Sequence, residues 1–173
     1  RGTVAVGAEV SGPVAEVRVE EGDRVDAAAV LARLEPDSFR AALEEAEARV
    51  RKAKAVAKES ARELECQQKI YNRGLSSAHD LEIAQRDAGR DRAEVEAAQA
   101  AARSARVDLR RSRITAPMDG VVLQRHVHPG ETVIANLEPP LLFRVASTMD
   151  RLDAVVAVPS GRVGDFAEGD RVE

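Results

Sequence analysis

The sequence predicts an α+β protein: a small β sandwich split into two halves, with a long antiparallel α-helical hairpin inserted between them. Three observations predict it. SGPVAEVRVEEGDRV at 11–25 recurs as DGVVLQRHVHPGETV at 119–133, so that Gly12, Val14, Val19, Gly22 and Val25 match Gly120, Val122, Val127, Gly130 and Val133. The period of apolar residues changes from two to a heptad after Pro36 and returns to two after Arg113. Hydrophobic content is 44 %, but aromatics are only 2 %, and much of the remainder is Ala. So few large side chains do not fill one thick core, and an elongated molecule with Ala-rich helix contacts fits better.

The elements follow in order. Val4, Val6, Ala8 and Val10 alternate with small or polar residues, the pattern of a half-buried strand. Val17 and Val19 repeat it, Glu21-Gly22-Asp23 is a turn, and Val30–Leu34 is a further strand ended by Pro36. Asp37 or Ser38 is the expected cap of the first helix, which has no Gly or Pro between Phe39 and Arg73. Leu43, Val50, Ala57, Leu64 and Tyr71 recur every seven residues; Phe39, Ala46 and Ala53 fill the intermediate row, which Ser60 and Gln67 break. Gly74 stops this helix, and Ser76 or Ser77 caps the next.

In the second helix, Leu81, Ala84, Ala88, Val95, Ala98, Ala102, Ala105 and Leu109 keep the spacing up to about Ser112, with Asp91 as the polar interruption. A connection of a few residues forces the two helices to run antiparallel. The hairpin ends therefore lie together, and so do the two related β units. Strand periodicity returns over Ile114–Thr115, the second Gly-x-Val unit and Leu141–Val145, and Leu152–Val158 reads as a strand of a further module. The predicted division is 1–36 with 113–146 as the β domain, 37–112 as the hairpin and 147–173 as the start of a β-barrel.

Composition excludes several functions. A net charge of −4, with both signs mixed among 32 % charged residues, is no nucleic-acid footprint. Cys66 is alone, so neither an internal disulfide nor a cysteine metal cluster is available. No apolar run reaches membrane-spanning length. His126 and His128 share one strand face, but no third ligand is near in sequence, and no metal or other cofactor is expected. The run Glu44 to Lys54 reads as a solvated helix face with pairs such as Glu45–Arg49 and Glu47–Arg51. Neither a catalytic triad, a phosphate loop nor paired catalytic carboxylates are discernible, so catalysis is not expected. The chain starts at Arg1 and stops in what reads as an unfinished strand, as a piece of a longer protein would.

A split β domain with an inserted α-hairpin resembles the periplasmic adaptor (membrane fusion) proteins of tripartite efflux and secretion pumps. Val6–Gly12, Val19–Val25, Arg113–Gly120 and Gly130–Ala135 carry the resemblance, by their order and spacing together. Pro140–Ala146 looks most like the branch serving macrolide-type ABC exporters. The resemblance implies a lipoyl-like barrel-sandwich hybrid, a periplasmic location attached to the inner membrane, and self-association to a hexamer in the full-length protein. It implies an outer-membrane channel protein as partner at the hairpin tip. An inner-membrane transporter would be met through the β-barrel and a membrane-proximal domain. A resistance-nodulation-division or other exporter is the alternative transporter. A coiled-coil scaffold or carrier-like domain without transport role is the rival of another class. A swinging-arm carrier needs a Lys at the turn where Leu34–Asp37 stands, whereas Lys52, Lys54, Lys58 and Lys69 are all on the first helix.

The family's tip carries Arg, then Leu four residues on, then Ser seven further. The matching positions are Cys66, Ile70 and Ser77, of which Cys66 departs, since a thiol lacks the donor fork of an Arg. Lys69 or Arg73 is then the candidate source of charge, and Leu75 completes the candidate docking tip. Gln124 and His128 are carried over as candidates for a constriction of the central channel.

Overall fold

A computed structural model of the chain describes residues 2–135 and 140–147. The strand expected over Leu152–Val158 and the β-barrel expected from residue 147 onward therefore fall, apart from Ser147, outside the described residues. Among the described residues there are eight strands and two helices: β1 (Thr3–Gly7), β2 (Gly12–Val17), β3 (Arg24–Val25), β4 (Val30–Leu34), α1 (Asp37–Asn72), α2 (Ala78–Arg111), β5 (Arg113–Thr115), β6 (Gly120–Arg125), β7 (Thr132–Val133) and β8 (Leu141–Ala146). They make two four-stranded antiparallel sheets, ordered β1-β8-β6-β3 and β5-β4-β2-β7.

The repeat explains this order. In one sheet β6 and β8 come from the second half and β1 and β3 from the first; in the other sheet the roles are exchanged. The register obeys the same exchange, because Gly12 pairs with Val133 while Gly120 pairs with Val25. The turns obey it too. The Gly22 N–H donates to the Val122 carbonyl and the Gly130 N–H to the Val14 carbonyl, each at 2.8 Å. Both glycines have positive φ, +93° and +85°, where a side chain would be strained. The acidic residue after each glycine closes its turn. Asp23 accepts from the Glu20 N–H at 2.8 Å, and Glu131 accepts from the His128 N–H at 3.2 Å.

Inward side chains of both sheets fuse into one core. Phe143, Leu31, Leu34, Val14, Val122, Val127 and Val145 are its largest fully buried apolar members. Four of these are valines, whose branched side chains suit a pleated, buried surface. β1 is shorter than the alternation suggests: it ends at Gly7 with a register shift after Val6, and Val4 is exposed on the edge.

The hairpin grows out of the β4–β5 ladder. Arg33 lies opposite Arg113, and the Leu34 N–H donates to the Ser112 carbonyl at 2.8 Å. Ser112 is buried, and its Oγ donates to the Leu109 carbonyl at 2.8 Å. Phe39 packs on the core beside Gly12 and Leu34, and Arg111 pairs with Glu9 at 2.6 Å. The first helix differs from expectation at its start. Pro36 is the N-cap, with no side-chain cap bond, and Asp37 and Ser38 are already helical. Pro36 itself has helical φ and ψ, so its carbonyl opens the helix by accepting from the Arg40 N–H at 2.9 Å.

The helices have 36 and 34 residues, which at 1.5 Å each makes a rod of roughly 50 Å. Ala46 and Ala53 are buried on α1, and Leu81, Ala84, Asp91, Ala98 and Ala102 on α2. Leu43, Val50, Ala57 and Leu64 are half-buried, and so are Ser60 and Gln67, which stay in the seam despite their polarity. Tyr71 is exposed, contrary to its heptad position. The Glu45–Arg49 pair forms at 2.6 Å, but Glu47 pairs across the hairpin with Arg106 at 2.6 Å rather than with Arg51.

The two matched glycines at the β-unit starts differ in what they tolerate. A Cβ on Gly120 would run into the Ala146 carbonyl, whereas one on Gly12 would meet Leu34 and Phe39 at an ordinary 3.7 Å. Gly120→Ala is therefore expected to lose about 2 kcal/mol or more of stability. Gly12→Ala is expected to be neutral or to gain about 0.5 kcal/mol. Urea-unfolding midpoints of the two variants check this; equal losses contradict it.

Candidate functional site

The hairpin tip is built from two helix caps placed back to back. At the end of α1, the Gly74 N–H donates to the Tyr71 carbonyl at 2.8 Å and the Leu75 N–H to the Ile70 carbonyl at 3.1 Å. With Gly74 at φ +73°, this is a complete Schellman motif, which only a residue free of Cβ strain closes at low cost. At the start of α2, Ser77 and Asp80 form a reciprocal capping box. The Asp80 N–H donates to Ser77 Oγ at 3.1 Å, and the Ser77 N–H donates to Asp80 Oδ2 at 3.3 Å. The Ser77 hydroxyl also donates to Asp80 Oδ2 at 2.6 Å, and Ser76 Oγ reaches back to Gln67 Oε1 at 3.2 Å. Hydrogen bonds from the Ser77 hydroxyl and backbone hold the Asp80 carboxyl below the usual carboxylate range.

This construction brings most of the expected residues to one end of the molecule. Leu75 stands at the apex and is 75 % exposed, the most exposed of the large hydrophobic side chains described. Ile70 is half-buried beneath it, and Arg73 occupies the exposed C-cap position of α1. Cys66 is exposed one turn below. Lys69 is tied to Glu65 at 2.6 Å, which raises the lysine pKa and lowers that of the glutamate, chiefly through the hydrogen bond between them. Ser77 is engaged twice as a cap, so its hydroxyl already serves the turn. The tip is thus a pre-shaped turn with one apolar side chain at its summit and polar groups around it. It suits contact with another surface.

Gln124 and His128 lie elsewhere, in the β domain. Gln124 is exposed on β6 opposite Arg144, and His128 is exposed in the turn before β7. His128 Nδ1 is 3.9 Å from Glu131 Oε2. β6 ends at Arg125, so His126 and His128 do not share a strand face as expected; both are exposed on either side of the fully buried Val127. Among the described residues no group of three or more His, Cys, Asp or Glu side chains could hold a metal ion. No described helix is long and apolar enough to cross a membrane.

One feature of the hairpin escapes the periodicity argument. Asp91, the interruption in the α2 row, is buried in the seam and bonds to Arg90 of its own helix at 2.9 Å. An open groove runs past it to Ser76 and Leu75. Its heptad position gave the place away, but not its burial.

The family model described as RND MFP, barrel-sandwich hybrid domain matches residues 2–143. The chain is 27 % identical over 169 residues to multidrug resistance protein MdtA of Escherichia coli O45:K1 (strain S88 / ExPEC), covering 98 % of this chain and 40 % of that protein. It is 29 % identical over 161 residues to MdtA of Yersinia enterocolitica, covering 93 % and 36 %. The chain therefore spans well under half the length of these curated relatives. Among solved structures, a MacA–MexA chimeric protein containing the Pseudomonas aeruginosa MexA α-hairpin domain is 28 % identical. It has a TM-score of 0.56 and covers 84 % of this chain and 46 % of that one.

Removal of the cap should be measurable without any partner. Ser77→Ala is expected to cost about 1 kcal/mol, read as a lower thermal midpoint, while Ser76→Ala changes it little. The pH dependence follows from Asp80. Its folded pKa is depressed, so its contribution is present above the ordinary carboxylate range and is lost as pH falls through the folded value. The difference between wild type and Asp80→Asn should therefore shrink on acidification below that range. A constant difference contradicts the assignment.

Proposed function

The chain belongs to the membrane fusion protein family through its barrel-sandwich hybrid domain, and from that premise we propose that it acts as a periplasmic adaptor of an export pump. In this reading it links an inner-membrane transporter to an outer-membrane channel. The mechanism is structural: the hairpin reaches out as a spacer, its tip docks, and the β domain anchors it. The observation that carries the reading is the tip itself, a doubly capped turn that exposes Leu75 at the far end of a 36-residue helix. A scaffold with no docking role has little use for an apolar summit on a pre-shaped turn.

The division into a split β domain, 1–36 with 113–146, and a hairpin, 37–112, belongs to the same proposal. So do the periplasmic location, the attachment to the inner membrane and the hexamer. The docking set proposed is Leu75, Ile70, Arg73 and Lys69, with Cys66 and Ser77 at its margin. Because Lys69 is held by Glu65, Arg73 is the better candidate to replace the charge absent at Cys66. Two transporter classes remain in view. The family description and the MdtA relatives favour a resistance-nodulation-division exporter. The Pro140–Ala146 segment resembles the macrolide-type ABC branch.

A photo-crosslinking residue at Leu75 of the full-length protein, in its own cells, tests the reading while leaving both caps intact. Capture of an outer-membrane channel protein, identified by mass spectrometry, is the expected result. Capture of only neighbouring copies or unrelated proteins, with expression and export confirmed, overturns it. Leu75→Asp, made separately, should reduce export without lowering the thermal midpoint, since the side chain is 75 % exposed.

A further inference from the structure

We propose that the hairpin contains a flexure at the level of Ser60 and Gly89, so that the apical part swings as a unit on a stiffer basal rod. Three independent features meet there. Gly89 lies inside α2, where glycine weakens a helix because its backbone is free to leave it. A Cβ at this position would meet nothing within 4 Å, so close packing does not demand a glycine. Ser60 lies inside α1, and its Oγ donates to the Ala57 carbonyl at 3.3 Å, a back-bond of the kind that accompanies helix bending. Asp91 occupies the seam with only 7 % of its surface exposed, yet its bonds go to Arg90 on its own helix and not across to α1.

These features share one level of the rod. An open groove on one flank is lined by both Ser60 and Asp91, and one on the other flank by both Ala57 and Gly89. Towards the base, the seam from Ala53 and Ala98 down is apolar and carries the Glu47–Arg106 cross-link. Towards the apex, the Schellman motif and the capping box lock the turn. A weak level between two firm ones bends in preference to fraying. The use of such motion, letting a pre-shaped tip adjust its angle to a channel, rests on the docking reading above; the flexure itself does not.

Cys66, the single cysteine, lies beyond the flexure and accepts a spin label directly. A second label on Ala41→Cys lies about 38 Å away along a straight helix. The expected wild-type distance distribution is broad and centred below that value. Gly89→Ala combined with Ser60→Ala and Asp91→Ala should narrow it and shift its centre to the straight-helix distance. A control pair within the basal rod, Ala41→Cys with Ala55→Cys in a Cys66→Ser background, should be narrow in both proteins. A wild-type distribution as narrow as that of the triple variant overturns the flexure, and so does equal broadening of the basal pair. Channel capture from Leu75 in the triple variant then separates the two readings. A fall confirms that docking uses the motion. Undiminished capture removes that use, and loss of capture in wild type as well removes the adaptor reading while the distance result stands.

Discussion

The rest of the structure depends on the exchange of short strands between the halves of the β domain. β3 completes the sheet made by β6 and β8, and β7 completes the sheet made by β2 and β4. Neither half closes its own core, because Leu31, Leu34 and Val14 of one half pack with Val122, Phe143 and Val145 of the other. The strand pair β4–β5 also crosses the boundary, and the chain enters and leaves the hairpin at its end. Formation of the β domain therefore brings the feet of both helices together. The loop closed in this way is long, and its entropic cost is offset by the seam that zips up between the feet.

That seam is thin. Its most buried positions are mostly alanines, which bring the helices close but remove little area from water each. Cohesion comes from length and from repetition, and local polarity is tolerated as long as its neighbours hold. The tip follows another logic. Its stability is local, drawn from backbone hydrogen bonds at two caps, so its shape does not depend on the quality of the seam beneath it. A firm end on a compliant stalk is a direct result of these two regimes.

Much of this was legible in the sequence. The duplicated Gly-x-Val unit carried the pseudo-symmetry down to the acidic residue after the second glycine, whose carboxylate closes the turn. The heptad rows, Gly74 and Ser77 gave the hairpin and its caps, because helix periodicity and cap chemistry are local properties. What depends on partners distant in the chain was less readable. The exchange of β3 and β7 needs two-residue strands too short to show a period. Glu47 choosing Arg106 over Arg51 depends on the helix pairing register. Tyr71 fits the repeat but is exposed, and Pro36 opens α1 although Asp37 and Ser38 carry the better capping chemistry. At the tip, the sequence marked which residues gather there, but only the folded turn separates the exposed Leu75 from Ser77, whose hydroxyl the cap already engages.

The hairpin is rooted in a strand pair that is complete without it, and this fixes how its reach can change. Residues added to or removed from both arms leave the β4–β5 root untouched. Each residue turns an α-helix by about 100°, so an arbitrary change in length would point the tip in a new direction. A change of one heptad per arm moves the tip by about 10 Å while keeping nearly the same face forward. Reach in this architecture is thus quantised: the spacer can be retuned in steps of seven, and its compass bearing is kept only on those steps.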